Sequence, residues 1–304
     1  MTAYPAVFLS FFEVSRTVNS MCVAGVALIV IAALAVRNDF ALARGLEKII
    51  TLANFSFAVP LAMFGALHLA AAWGISTMVP SFVPWHLFWA YFVGVALLAA
   101  SLSMATKIKV VWSGLLFGLM MFIFVATMDV PGVLSDLHNR ISWTLMLREL
   151  SFGCGGGLLA AAAISTPQKT GVKTLVMLGR IVLGITAVFY GVEHFLHPIN
   201  APGVPLEKIV PEWIPGRALV GYLTGAILLV AGACILLRRK TRMAAGYLGA
   251  WLLLLVLAVY GPILIVSLMD PSTDVKVEGL NYFGDTLLFA GTILALAQAI
   301  PQED

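Results

Sequence analysis

The chain has 304 residues, of which 61% are hydrophobic and 11% are charged, and its formal net charge is +3. Charged residues make up about a quarter of an ordinary soluble domain, so this composition, with its mean hydropathy of +1.00, excludes a soluble globular protein. Little of the chain lies outside long apolar stretches, which also excludes a soluble catalytic domain, a nucleic-acid-binding arm and a disordered regulatory region.

Nine apolar stretches follow one another along the chain, and each is close to the roughly 20 residues that cross a hydrocarbon core of about 30 Å. They comprise residues 18–36, 50–73, 85–104, 110–128, 141–164, 175–197, 217–237, 244–268 and 282–300. The pattern predicts an all-α, polytopic membrane protein with nine transmembrane helices. Residues 1–48 form a unit with an N-terminal tail, one helix and a basic loop.

Basic residues predict the orientation of these helices, because Lys and Arg are enriched in cytoplasmic loops. The connections after the first, third, fifth and seventh spans carry the bases Arg37, Arg44, Lys48, Lys107, Lys109, Lys169, Lys173, Arg238, Arg239, Lys240 and Arg242. The alternate connections carry the acids Asp129, Asp136, Glu207, Glu212, Asp270, Asp274 and Glu278. The N-terminus is therefore predicted outside and the C-terminus inside.

The last eight spans contain an internal duplication. The sequence FGALH at 64–68 aligns with YGVEH at 190–194, and VPSFVP at 79–84 aligns with VPEWIP at 210–215. Both proline-rich segments are expected to form stiff, non-helical connections, because proline lacks a backbone donor and has a fixed φ.

The duplication predicts two four-helix repeats, residues 49–166 and 167–304. Each repeat has an even number of spans, so the two are parallel and related by a pseudo-twofold axis along the membrane normal. We expect two bundles side by side, with the first helix added outside them and the glycine run 153–157 between them. The length differences between repeats are five-residue insertions in the outer loops.

Ionisable residues inside a membrane are costly and therefore mark candidate functional sites. Here they concentrate in the predicted outer half of the bilayer. The candidate ligand or proton site comprises His68, Arg148, Glu149, Glu193, His194, His197 and Asp285. Matched positions suggest the contacts His68–Glu149 and His194–Asp285, with Asp285 shallower than Glu149. A carboxylate beside an imidazole suits a proton relay or a quinone carbonyl, and ordinary structural hydrogen bonding explains the same pairs.

Neighbouring charged residues refine this site. Arg148 and Glu149 should point about 100° apart on one helix and so need different partners, with Arg148 neutralising a distant carboxylate or reaching the outer surface. Glu193 and His197 are four residues apart and can share a face. A metal site needs at least three convergent ligands, so no metal is predicted. The three cysteines lie in apolar spans without CxxC spacing and are expected to pack as free thiols.

The aligned motifs resemble the DoxX-like family of small four-helix membrane proteins. The likeness is closest over the second half, in YGVEH at 190–194, VPEWIPG at 210–216 and Gly225. The first half is more divergent, since Trp85 stands where the second half has Gly216. The resemblance implies a bacterial inner-membrane protein whose relatives are linked to thiosulfate:quinone oxidoreduction and membrane redox complexes, with a protein partner or a homo-oligomer.

Three functions remain open on the sequence. The first is a subunit that presents an outer-leaflet pocket to a quinone or another small hydrophobic substrate, the chain itself having no recognisable motif for a flavin, haem or iron–sulfur cluster. The second is a non-enzymatic scaffold or assembly partner whose polar groups fix helix packing. The third is a small-solute transporter, which suits a parallel repeat but lacks the broken helices expected of one.

Overall fold

The computed structural model describes residues 15–164 and 169–301. The predicted boundary between the repeats, at residues 166 and 167, lies outside this range, as does most of the N-terminal tail. The α-helices are α1 (Arg16–Leu42), α2 (Leu46–Ile50), α3 (Ala53–Ala70), α4 (Ala72–Ser76), α5 (His86–Thr106), α6 (Val110–Phe124), α7 (Val130–Ser135), α8 (Arg140–Ala162), α9 (Thr170–Leu196), α10 (Arg217–Leu236), α11 (Thr241–Leu255), α12 (Gly261–Met269) and α13 (Thr273–Ala299). Two π-helices, π1 (Val125–Asp129) and π2 (Val256–Tyr260), join α6 to α7 and α11 to α12.

The chain is an all-α, multi-pass membrane protein. Eight helical stretches in the described residues are long and apolar enough to cross a bilayer. The fifth predicted span, α8, is a helix of 23 residues but is not one of these eight. It carries Arg140, Arg148, Glu149 and a glycine run, which lower its apolarity, and its second half is buried by other helices. Nine crossings and their orientation stay predictions.

The last span begins earlier than predicted. Apolarity placed its start at residue 282, whereas α13 begins at Thr273. Its first turns contain Asp274, Lys276 and Glu278, and these charges hid a helix that continues beyond the apolar segment and packs against α12. Asp285 therefore lies about 18 Å from the start of its helix. Measured along the helix, it is farther from the outer end than Glu149 is, so the prediction that Asp285 is shallower is wrong.

Corresponding helices pack in the same order in both halves. The first and second helices of each half pack together, as α3 with α5 and α9 with α10, and so do the third and fourth. The first helix of each half also packs against the fourth helix of the other half, as α3 with α13 and α9 with α8. The two fourth helices, α8 and α13, meet at the centre. The halves are therefore interlocked more closely than two bundles placed side by side.

Small residues permit these close contacts. A Cβ at Gly155 of α8 would meet the Thr292 hydroxyl of α13 at 2.6 Å, and one at Gly291 would meet the Phe57 backbone nitrogen of α3 at 2.7 Å. Gly153 instead faces Met121 of α6, within the first half. The glycine run thus serves contacts inside the first half as well as contacts between halves.

Unusual backbone conformations recur at aligned positions. Each π-helix is followed by a helix with a proline in its first turn, Pro131 after π1 and Pro262 after π2. The non-glycine residues Lys107 and Lys109 have a positive φ, as do Arg238 and Lys240 in the second half. A non-glycine residue with positive φ is uncommon, so the shared turns support the proposed duplication.

The connections at residues 71–85, 136–139, 197–216 and 270–272 lie at one end of the helices, which we call the predicted outer side. Both proline-rich segments belong to these connections, and both are non-helical, as expected. The longer connection, 197–216, folds over the ends of the helices of the second half, and Ala201, Pro202, Gly203 and Val204 are buried within it.

Candidate functional site

The Gly-x-x-His motif marks a close helix crossing in each half. A Cβ at Gly191 would meet the Gly225 carbonyl oxygen at 3.0 Å, so α9 and α10 approach to backbone contact. Gly65 and Gly94 stand in the same relation, at 2.9 Å, between α3 and α5. A Cβ added at Gly225 would meet the Cβ of His194 at 3.1 Å, so the glycine leaves room for the imidazole.

His68 bonds to its own helix. Its Nδ1 lies 2.8 Å from the carbonyl oxygen of Phe64, one turn earlier, and therefore donates to it. The predicted contact with Glu149 does not form among the described residues. The prediction was wrong because α3 packs mainly against α1, α5 and α13 rather than against α8, so the imidazole bonds within its own helix.

His194 is fully buried and holds the 197–216 connection. Its Nε2 accepts a hydrogen bond from the backbone N–H of Gly203 at 3.0 Å, and its buried Nδ1 has no hydrogen-bond partner among the described residues. Its predicted contact with Asp285 is also wrong. The loop, which local spacing could not place, supplies the partner instead.

The predicted carboxylates are brought together by Arg148. Its Nη1 donates to Oδ2 of Asp285 at 2.8 Å, and its Nη2 donates to Oε1 of Glu149 at 2.8 Å. The three side chains are only 18%, 13% and 17% exposed, in the order Arg148, Asp285 and Glu149. Arg148 neutralises a distant carboxylate, as one alternative held, but it also folds back onto its neighbour. The prediction that the two neighbours need different partners was therefore wrong.

This trio, which we call the central ion cluster, lies where α8 meets α13. Glu149 and Asp285 occupy matched positions in the two halves, whereas Gly284 occupies the position matched to Arg148. A Cβ at Gly284 would meet the Phe64 ring at 3.0 Å. One guanidinium thus joins equivalent acids from both halves, and the Phe64 ring of the first half occupies the place that a second guanidinium at position 284 would take.

Polar groups absent from the predicted site surround this cluster. Asp129, Tyr190, Tyr260 and Tyr282 all lie within electrostatic reach of it. The Tyr190 hydroxyl donates to the Thr144 carbonyl at 2.9 Å. Asp129 lies in π1 rather than in a loop, and its buried Oδ2 has no hydrogen-bond partner among the described residues.

Glu193 and His197 do share a face, as predicted, with Oε2 and Nε2 3.8 Å apart. The same Oε2 accepts a hydrogen bond from Nη1 of Arg140 at 3.3 Å, and Arg140 also donates to the Pro205 carbonyl at 3.1 Å. Arg140 is not among the predicted site residues, because only the packing of α8 on α9 brings it to Glu193. This group joins the two halves at the predicted outer side. In the described part of the chain, no group of three or more His, Cys, Asp or Glu residues is arranged to hold a metal ion.

A cavity of about 200 Å³ lies between the 197–216 connection, α12 and the start of α13. Its walls are largely apolar, and its polar groups include Lys208 and Glu278, whose Nζ and Oε2 form an ion pair at 2.6 Å. An open depression lined by Glu207, Lys208, Ile209, Glu278 and Tyr282 adjoins it. None of the seven predicted site residues lines this cavity.

Two tyrosines connect the cavity with the central ion cluster. Tyr260 and Tyr282 both line the cavity, and both lie within electrostatic reach of Asp285. Tyr282 and Asp285 are three residues apart on α13 and therefore share a helix face. The Tyr260 hydroxyl donates to the Pro202 carbonyl at 2.7 Å. The cavity and the cluster are consequently adjacent parts of one region.

Comparison with known proteins gives no relative for this chain: no family model, no curated protein and no solved structure matches it. The resemblance to the DoxX-like family therefore rests on the aligned motifs alone.

Proposed function

We propose that this membrane protein is a DoxX-like subunit of a membrane redox complex in a bacterial inner membrane, where it binds a quinone or another small hydrophobic molecule at its outer side. The observation that carries the proposal is the apolar cavity beside the central ion cluster. An apolar pocket with a few polar groups is the usual form of a small-molecule site.

The size of the cavity limits its occupant. Sites that bury drug-sized ligands have volumes of roughly 300–1,000 Å³, and this cavity has about 200 Å³. A single ring such as a quinone headgroup suits that volume, with any long tail remaining outside. Ile263 and Val266 offer apolar surface to the ring, and Ser267 offers a hydroxyl.

The central ion cluster gives the proposal its redox character. Reduction of a quinone to a quinol takes up two protons with two electrons, so such a site works beside ionisable groups. Asp285 lies one helical turn from the cavity-lining Tyr282 and is held by Arg148. The electrons would come from a partner protein, since the chain contains no recognisable redox motif.

Quinone retention tests the proposal. Protein purified in mild detergent is extracted with organic solvent, and the extract is analysed by chromatography with mass detection. We expect about one quinone or similar small molecule per chain, and its loss in Ala201→Phe, which places a ring in the cavity from the buried Ala201. Ala35→Phe on the exposed face of α1 is the matched control and should retain the molecule. Equal retention by both variants, or an empty parent protein, would reject the proposal.

A scaffold or assembly role is the second candidate, and the pairing within the central ion cluster favours it. Arg148 binds both carboxylates, so these groups can hold α8 against α13 without any ligand. On this alternative, Glu149→Gln with Asp285→Asn would lower the amount of folded protein and of a co-purifying partner, while Ala201→Phe would leave both unchanged.

A further inference from the structure

The 197–216 connection contains the first of two extra segments in the second half. From His194 to Pro215 the chain advances 21 residues, whereas from His68 to Pro84 it advances 16. The extra length allows this connection to fold over the helix ends and supply Ala201 and residues 208–211 to the cavity wall.

The second extra segment lies around the turn between α12 and α13. From Pro262 to Asp285 the chain advances 23 residues, whereas from Pro131 to Glu149 it advances 18. This segment supplies Asp270, Val275 and Glu278 to the same cavity. Both insertions, far apart in sequence, therefore meet at one place.

The wall between them differs from the corresponding place in the first half. Gly279 lines the cavity, and a Cβ there would meet the Ser267 Cβ at 2.6 Å. Trp143 stands at the matched position of the first half, and its indole Nε1 donates to the Leu137 carbonyl at 3.0 Å. At this place the second half thus has two inserted segments and a glycine, where the first half has shorter connections and a tryptophan.

We infer that the two insertions form a dedicated ligand chamber in the second half, entered from the predicted outer side past the Lys208–Glu278 ion pair. Its occupant is a neutral molecule with a ring-sized apolar body and a hydrogen-bonding edge. This inference rests on the proposed function. It adds the route by which the ligand enters, the contact that closes this route, and the half of the protein that forms the chamber.

The ion pair is placed to close this route. Lys208, Ile209, Glu278 and Tyr282 line both the cavity and the open depression outside it, so they form the wall between the two. The Lys208 and Glu278 side chains are 47% and 38% exposed. A pair so exposed is weak, which suits a contact that opens and closes.

The base of the same connection is fixed. Pro202 and Gly203 are held by Tyr260 and His194, from two different helices. The backbone of Lys208 is bound to this base, because its carbonyl oxygen accepts a hydrogen bond from the Ala201 N–H at 2.8 Å. The exposed side chains of the Lys208–Glu278 pair, rather than the backbone of the connection, are therefore the part that can open.

Thiol labelling of the chamber tests the entry route. Ser267→Cys places a thiol on the cavity wall, and the protein is reconstituted in lipid nanodiscs and treated with a water-soluble, charged methanethiosulfonate reagent. The parent protein gives the background from its native cysteines. We expect Glu278→Gln to speed labelling of Cys at position 267 by about fivefold, the most that breaking an exposed ion pair should shift an opening equilibrium.

Glu212→Gln is the matched control, because the exposed Glu212 of the same connection forms an ion pair with Arg217, the first residue of α10. This change should leave the labelling rate unchanged. A tail-less quinone added in water should protect the thiol. If the ligand entered from the bilayer instead, only a long-tailed quinone supplied in the lipid would protect it. Val275→Cys serves as a second reporter if Ser267→Cys does not fold.

Equal rates in Glu278→Gln and Glu212→Gln, or protection only by the lipid-borne quinone, would overturn the entry route while leaving the proposed function intact. If neither quinone protected the thiol and the purified protein were empty, the proposed function itself would be rejected.

Discussion

Arg148 holds together the two carboxylates of the central ion cluster. It binds Glu149 and Asp285 from opposite halves, and neither acid is paired with another base among the described residues. Removing one partner of a buried ion pair leaves an uncompensated charge, which costs more than the intact pair contributes. The arginine is therefore the residue on which the stability of this centre depends.

Replacing Arg148 should destabilise the protein strongly. We expect Arg148→Met to lower the free energy of unfolding by about 3–5 kcal/mol, because it strands two carboxylates in a poorly hydrated site. The triple variant Arg148→Met, Glu149→Gln, Asp285→Asn should recover much of this loss, since no unpaired charge then remains. Denaturation in mixed detergent micelles measures the free energy of unfolding of the single and the triple variant. A triple variant less stable than Arg148→Met would contradict the explanation by charge.

At the scale of helices and loops, glycines set how closely the elements approach. Gly221 of α10 faces the backbone of Pro198, and a Cβ there would overlap the Pro198 carbonyl oxygen. The matched residue in the first half is Ala90, where the shorter connection needs no such space. The longer 197–216 connection therefore requires a residue without a side chain at position 221.

Gly221→Ala should displace that connection and lower the free energy of unfolding by about 1–3 kcal/mol, as overpacking does elsewhere. Gly171→Ala is the matched control, since no atom of the described residues lies within 4 Å of a Cβ at that helical position, and it should be neutral or stabilising by up to about 1 kcal/mol. Unfolding of both variants in detergent gives the comparison. A neutral Gly221→Ala would show that the loop adapts without cost.

Across the whole molecule, the central question is whether α8 crosses the membrane. Its 23 residues extend about 34 Å, and it packs against α6, α9 and α13. A helix in such surroundings need not be strongly apolar, because its neighbours rather than lipid cover it. This explains why its charges and glycines are compatible with the predicted nine crossings.

Sidedness of two positions tests the number of crossings. Ser81 and Arg239 are exposed, and nine crossings place them on opposite sides, because five spans separate them. We expect Ser81→Cys, but not Arg239→Cys, to react with an impermeant thiol reagent in intact cells, with the parent protein as the blank. Reaction of both from one side would indicate that α8 does not cross.

The sequence by itself determined the membrane class and nearly all of the helices, because burial in lipid requires long apolar stretches with satisfied backbone hydrogen bonds. It also identified Arg148, Glu149 and Asp285 as notable, since each is costly in that environment.

Only the tertiary structure decided which side chains contact one another. The predicted His68–Glu149 and His194–Asp285 pairs did not form, Arg140 and the cavity tyrosines were missed, and the start of α13 was misplaced. Apolarity follows from local composition, whereas these contacts join residues that are distant in sequence. Which of them meet depends on how closely the helices approach and on where the inserted connections fold.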